Sequence, residues 1–231
     1  LASGFFFFFT HNKIKASEVK TLYKGHEIAI HTNTHPHLEE LSAKEIAYEV
    51  QTDKENLEKL VSYPVTGMAY PFGTYNNLVL EELKKIGIQY SRTIQSTKEF
   101  SLPQDFLRWH PTCHFGEDNM ELLTQQFLNS SQESHTQTPL KVFYIWGHSY
   151  ELDGNDTWEE MENFCKQISN KEEIWYATNI EIVSYQKALK KLILLKDEKL
   201  IKNPSMFPIW LKINHISFCI QSGETIQIPK D

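Results

Sequence analysis

The chain has 231 residues, 30 of them acidic and 23 basic, for a formal charge of −7. That length suits one domain burying roughly 70–75% of its unfolded surface, and 40% apolar with 23% charged residues excludes a disordered chain. An acidic balance without a basic cluster argues against nucleic-acid binding, and no apolar run approaches the roughly 20 residues of a membrane span. Aromatic residues are in excess, with 14 Phe, 10 Tyr and 5 Trp; such rings stack on sugars or fill a large core.

The opening Leu1–Phe9 carries five consecutive Phe but no basic segment and no start methionine. It is too short for an export signal and reads as the interior of a longer chain. Localisation stays open, since any export signal would lie upstream of Leu1. Gly25–Ile30 reads as a strand entering a His/Thr-rich loop. Ser42 with Glu45 forms a capping box that opens a helix towards Ser62. Gly67–Tyr70 is a short strand, followed by the turn-rich Pro71–Asn76. Asn76 or Asn77 caps a helix stopped by Gly87, and Ile88–Thr93 is the next strand.

Asp118 is expected to cap a helix reaching about Asn129, and Ser130–Thr138 is polar and loop-like. Leu140–Trp146 is the strongest strand pattern, long and apolar enough to be central. Thr157 with Glu160 predicts a further capping box, with Trp158, Met161, Phe164, Cys165 and Ile168 on one helical face. Ile174–Tyr176 reads as a strand, and Thr178 with Glu181 starts a last helix to about Leu195. After Lys196 short alternating runs, Ile209–Ile213 and Thr225–Ile228, predict a small β appendage packed on the main domain, with Trp210 and Phe218 as its core. The domain reading is therefore 1–195 followed by 196–231. The three cysteines, Cys113, Cys165 and Cys219, form no C-x-x-C pair and read as buried apolar residues.

The alternation of strands and amphipathic helices predicts an α/β fold with a parallel sheet, and such folds place their sites on loops after the strands. Three segments fall there. His31-Thr-Asn-Thr-His35, followed by Pro36-His37, holds two histidines four apart that can reach one metal ion; alone it reads more readily as a surface loop that happens to hold histidines. Ala69-Tyr-Pro-Phe-Gly-Thr-Tyr-Asn76 alone is a well-made turn. Trp146-Gly-His148 ends the most apolar strand, where a single histidine is more often structural than catalytic.

In this order the segments resemble the polysaccharide deacetylases of the carbohydrate esterase family 4 type. Lys24-Gly-His-Glu-Ile-Ala-Ile-His-Thr-Asn-Thr-His35 is similar to that family's H-[ST]-x-x-H element, Tyr70-Pro-Phe-Gly73 to its R-x-P-[FY]-G element, and Phe143–His148 to its strand ending in histidine, over roughly Gly4 to Leu195. The resemblance implies a distorted (β/α) TIM-like barrel, N-terminally incomplete here. It also implies a divalent metal, zinc by default, held by one aspartate with His31 and His35. The substrate would be an N-acetylated glycan, its acetamide attacked by water that the metal activates. The backbone N–H of Phe72 would stabilise the oxyanion and His148 would protonate the leaving amine. Tyr70, Tyr75, Trp109 and His110 are the candidate substrate contacts, with packing as the alternative for the last two.

The sequence departs from the family pattern at three places. Its first aspartate is Asp53, so the aspartate pair of the opening strand, which supplies a ligand and the general base, is missing, and Leu1–Gly4 would be the tail of the second strand. His11, Glu27 and His37 are the substitutes closest in sequence. The arginine of the third element is replaced by Ala69 or Tyr70. The fourth element is represented by Arg108-Trp-His-Pro-Thr-Cys-His114 without its aspartate. The expectation is a metal-dependent N-deacetylase, with a catalytically dead carbohydrate-binding protein on the same fold as the rival; nothing predicts the oligomeric state.

Overall fold

The computed structural model describes residues 14–130, 140–195, 199–213 and 216–228. His11, the run Leu1–Phe9 and the strand tail read at Leu1–Gly4 lie outside these residues, as does nearly all of the loop predicted at Ser130–Thr138. The chain divides into two compact units, Leu1–Asn179 and Ile180–Asp231.

The first unit begins with helix α1 (Ala16–Leu22) and the 19-residue α2 (Ala43–Val61). The capping box forms at α2 as its sequence dictates. The Ser42 hydroxyl accepts from Glu45 N–H at the first turn, and the Ser42 N–H donates to the Glu45 carboxylate at 2.9 Å. Strand β1 (Gly67–Ala69) leads to a one-turn 3₁₀ helix, Pro71–Gly73, then to α3 (Asn77–Ile86), capped by the Asn76 side chain and closed by Gly87 at φ 84°. Strands β2 (Tyr90–Arg92), β3 (Cys113–His114) and β4 (Ile145–Trp146) follow, with α4 (Met120–Ser130) between the last two, and α5 (Ser149–Asn155) and α6 (Trp158–Ile168) after them.

Every pairing among these strands is parallel. Ile30 bridges Met68, β1 pairs β2 with Ala69 opposite Arg92, Arg92 bridges Trp109, and β3 pairs β4 with His114 opposite Trp146. Strand segments following one another in sequence thus lie side by side, and their carboxyl ends carry His31, Pro71–Phe72, Thr93, His110 and Gly147–His148. The sheet does not close among the described residues: two two-stranded pairs and two bridges stand where a TIM-like barrel was expected.

The core lies between this arc and the helices. Ile30, Leu38, Ile46, Val50, Met68, Val79 and Leu83 are all fully buried and belong to one cluster. Each such side chain contributes about 1.5–3 kcal/mol by leaving water. A second layer is aromatic: the Trp109 ring meets Tyr90, Phe106 and Tyr144 with centroids 5.8, 5.1 and 4.9 Å away.

Several expectations are corrected. Leu140–Trp146 forms a ladder only at Ile145–Trp146; upstream, Val142 N–H donates to Phe100 O and Phe143 packs on Phe100 and Phe127, so its apolar residues serve packing more than pairing. Helix α4 starts after Asn119, whose carbonyl takes the Leu123 N–H, and not at Asp118. Thr157 precedes α6 without a side-chain cap bond, and α6 buries none of its residues. Ile174–Tyr176 is not a strand: the Tyr176 hydroxyl donates to Ile168 O and accepts from Lys171 N–H, closing a local turn after α6. Cys113 is buried as expected, but Cys165 is exposed and Cys219 partly so.

In the second unit α7 (Asn179–Leu189) ends six residues before its predicted limit, because Ile193–Leu195 is strand β5. It pairs with β6 (Leu200–Lys202), which pairs in turn with β9 (Thr225–Gln227), while β7 (Ile209–Ile213) and β8 (Ile216–Ile220) form a hairpin, all antiparallel. Trp210 is 65% exposed and is not the core of this unit. Its buried residues include Val183, Ile201, Ile209 and Ile220 together with a polar knot: the fully buried Asn203 amide nitrogen lies 2.7, 2.9 and 3.1 Å from the carbonyls of Phe207, Ile220 and Gln221, and its oxygen accepts from Ser205 N–H and Oγ–H.

Candidate active site

Among the described residues the predicted strand Gly25–Ile30 pairs only at the isolated Ile30–Met68 bridge; the His31–His35 loop follows it directly and is tied down by α2. Asp53 accepts the His31 N–H at 2.8 Å, and Glu49 accepts both the N–H and the hydroxyl of Thr34 at 2.7 and 2.8 Å. Two turns of a capped helix thereby hold a loop in which Thr32 and His35 both take left-handed φ values, 71° and 60°. Such backbone is retained only where its surroundings over-determine it.

The two imidazoles converge. His31 Nδ1 lies 2.7 Å from Ala69 O; a carbonyl only accepts, so this nitrogen carries the ring proton and Nε2 presents its lone pair. His35 Nε2 lies 3.1 Å from His31 Nε2. Tetrahedral zinc with bonds of about 2.0–2.1 Å sets its ligand atoms roughly 3.3 Å apart, so the pair fits one ion. Burial pushes the His31 imidazole down to about 4, the Ala69 bond opposes this, and His35, Arg92 and His148 lower it further. The ring is therefore neutral at pH 7, as a metal ligand must be. His35 is lowered as well, by burial first, with His148 and His37 contributing. His148 is thus close enough to oppose protonation of both His31 and His35.

Among the described residues no carboxylate completes a three-ligand group with His31 and His35. Asp53 is committed to the loop backbone; burial, followed by the charge of Glu49, raises its carboxyl to about 6. Glu27 accepts from the Tyr90 hydroxyl at 2.7 Å, and His37 pairs with Glu39 at 3.1 Å while stacking on Phe72.

The Pro71–Gly73 turn places Phe72 beside this pair. Phe72 has φ 55°, is 45% exposed, and its ring meets His35 at 4.6 Å and His37 at 4.0 Å. Its backbone N–H donates no hydrogen bond within the described residues, so it is available to an oxyanion. Gly73 is required next: its φ is 74°, and a Cβ there would stand 2.8 Å from the Ile94 nitrogen. Tyr70 is 1% exposed, with its hydroxyl donating to Leu107 O and its ring stacked on Tyr75. Trp109 is likewise 1% exposed, among the core aromatics. His110 sits at the strand end, its Nδ1 2.6 Å from the Thr93 hydroxyl.

His148 caps α5, and its Nδ1 lies 2.8 Å from Glu151 Oε1. The carboxylate accepts, so Nδ1 is protonated and Nε2 is left for a substrate proton. The other oxygen of Glu151 lies 2.8 Å from His114 Nε2. Sequence reasoning missed both Glu151 and α5, although an acid three residues after His148, at the third helical position, is the pattern of a capping box. It also missed Arg92, the cross-strand partner of Ala69. Its guanidinium lies 4.7 Å from the Trp146 ring centre and lowers His31, so a cation stands one strand away from the position where the family pattern has its arginine.

Residues 2–91 match the sequence model of the polysaccharide deacetylase family. No curated protein matches. Among solved structures, the chain is similar to the Streptococcus pyogenes deacetylase PplD in complex with acetate, at 23% identity over 38% of this chain and 39% of that one, with a TM-score of 0.36. It is similar to a polysaccharide deacetylase from Bacillus cereus at 28% identity over 43% and 32%, with a TM-score of 0.37. A Mycobacterium smegmatis protein assigned as a polysaccharide deacetylase is 16% identical over 76% of this chain and 68% of that one, with a TM-score of 0.54, a likeness of fold alone. The chain spans only 39% and 32% of the first two. The match to the polysaccharide deacetylase model is thus confined to residues 2–91, beside a likeness of fold to the Mycobacterium smegmatis protein.

Proposed function

We propose that the site is that of a metal-dependent hydrolase removing N-acetyl groups from an acetylated polysaccharide or oligosaccharide. The observation that carries this reading is the convergence of His31 and His35 through Nε2 at 3.1 Å, with the Nδ1 of His31 committed to Ala69 O. A divalent cation there, zinc by its preference for imidazole, would supply Lewis acidity and an activated water. In this reading the ligand set is completed, and the general base provided, from outside the described residues.

The chain's own groups then have distinct tasks. Asp53 and Glu49 hold the histidine loop. The Phe72 N–H receives the negative charge that develops on the acetamide oxygen, and a fixed amide does so without reorganising. His148, with a second proton taken up at Nε2, gives that proton to the departing amine while Glu151 holds the protonated Nδ1. The exposed Phe72 ring supplies an apolar face for the sugar. Tyr75 and His110 remain the other substrate contacts, whereas the burial of Tyr70 and Trp109 favours a supporting role for those two.

The test is acetate release from N-acetylglucosamine oligomers by the zinc-loaded protein. His148→Ala should lower it by the 10²–10⁴-fold typical of general acid catalysis. Sugar binding without acetate release, unchanged in His31→Ala, would replace this reading with that of a carbohydrate-binding protein.

A further inference from the structure

We propose that His114, His148 and Glu151 form a second divalent-metal site, of the zinc class, separate from the His31–His35 pair. One ring nitrogen of each histidine and one carboxylate oxygen lie within 4.8 Å of one another. That is within about 1.5 Å of the spacing that 2.0–2.1 Å bonds set around tetrahedral zinc. Two histidines and one glutamate are a complete three-ligand set, with a fourth position open. The fold brings them together from two elements. His114 ends β3 beside Trp146 of β4, and His148 and Glu151 are the cap and third residue of α5.

The surroundings favour a cation. The three side chains are partly exposed, between 23% and 39%, so a hydrated ion can reach them. His114 also lines a cavity of about 660 Å³ whose wall, among the described residues, includes Glu117, Asp118, Glu121 and Glu160 and no lysine or arginine. Carboxylates gathered around a concave surface raise the local cation concentration.

Without metal, protons occupy the same positions. The Gly116 N–H donates to His114 Nδ1 at 3.0 Å, so the ring proton sits on Nε2 and faces Glu151, just as His148 Nδ1–H does. Binding an ion exchanges these two N–H···O bonds for bonds to the metal. Each ring proton passes through solvent from the inner nitrogen to the outer one, Nδ1 of His114 and Nε2 of His148, and the exposed Gly116 amide turns from His114 to solvent. Because His148 is then a ligand, occupancy of this site takes away the general acid. Excess zinc should therefore inhibit the deacetylase, a consequence that rests on the proposed function while the binding itself does not.

The test titrates zinc against a chromophoric chelator into the chain and into His31→Ala/His35→Ala, the second variant removing the first site. One equivalent should persist in that double variant and be lost on adding His114→Asn or Glu151→Gln. In the unsubstituted chain, zinc should shield His114 and His148 from carbethoxylation by diethylpyrocarbonate, read by peptide mass spectrometry, which requires no variant to fold. No zinc bound by the double variant, binding indifferent to both further substitutions, or no shielding of His114 and His148 would each overturn the site. Deacetylation that excess zinc leaves unchanged, with the second equivalent bound, would overturn only the inhibitory consequence.

Discussion

Asp53 is a buried carboxyl that anchors the His31–His35 loop, and its replacement by asparagine should change how stability depends on pH. Its carboxyl rises from the ordinary 3.8 to about 6 because burial disfavours the charge, with Glu49 adding to it and the His31 and Thr32 amides opposing it. At 1.36 kcal/mol for each tenfold change in proton affinity, the rise corresponds to about 3 kcal/mol. Between these two values the folded protein holds a proton that the unfolded chain has released, so stability falls as pH rises through the window. The contribution is fully present below pH 3.8 and lost above about 6. Asparagine does not titrate and keeps an oxygen for the His31 N–H. Urea unfolding of both proteins from pH 3.5 to 7.5 should therefore show Asp53→Asn gaining on the parent by up to about 3 kcal/mol, with a plateau near neutrality. A difference that stays flat across this range, or that moves in the parent's favour as pH rises, would refute the assignment of a strained, loop-anchoring carboxylate.

Three further outcomes follow from particular contacts. Glu49→Ala strands the Thr34 N–H and hydroxyl, which should cost about 1–3 kcal/mol in urea unfolding and weaken zinc at the His31–His35 pair. Gly67→Ala would drive a Cβ into the Tyr90 ring, whose hydroxyl is held by Glu27; the overpacking should cost about 1–3 kcal/mol, and an unchanged unfolding midpoint would show that Tyr90 moves freely. Asn203→Ala removes the buried partner of three carbonyls and of Ser205, and should destabilise the second unit by about 3 kcal/mol or more, visible as faster amide exchange in β6–β9.

The parts of the fold legible in the sequence are those whose cause is local. The α2 capping box, the Asn76 cap and the Gly87 stop each depend on residues within one helical turn, and all three form. The strand after residue 140 was overread because apolar alternation records burial, whereas a ladder needs a partner; only Ile145 and Trp146 find one in β3. At the candidate site, His31, His35, Phe72 and His148 carry their motifs within a few residues, and the chain folds them to the carboxyl ends of parallel strands. Arg92 was missed because its position opposite Ala69 depends on register between two strands over twenty residues apart, which no local pattern encodes. Glu151 was missed for a different reason: its spacing to His148 acquires meaning only once α5 starts at Ser149.

The most direct measurement is acetate release after the protein has been stripped of metal with a chelator and reloaded with one equivalent of zinc, beside His31→Ala treated identically. A metal-dependent deacetylase site at His31 and His35 predicts that activity disappears on stripping, returns with zinc in the parent, and stays at least about 100-fold lower in His31→Ala. Acetate release that survives chelation, or that zinc restores equally in the variant, would contradict it.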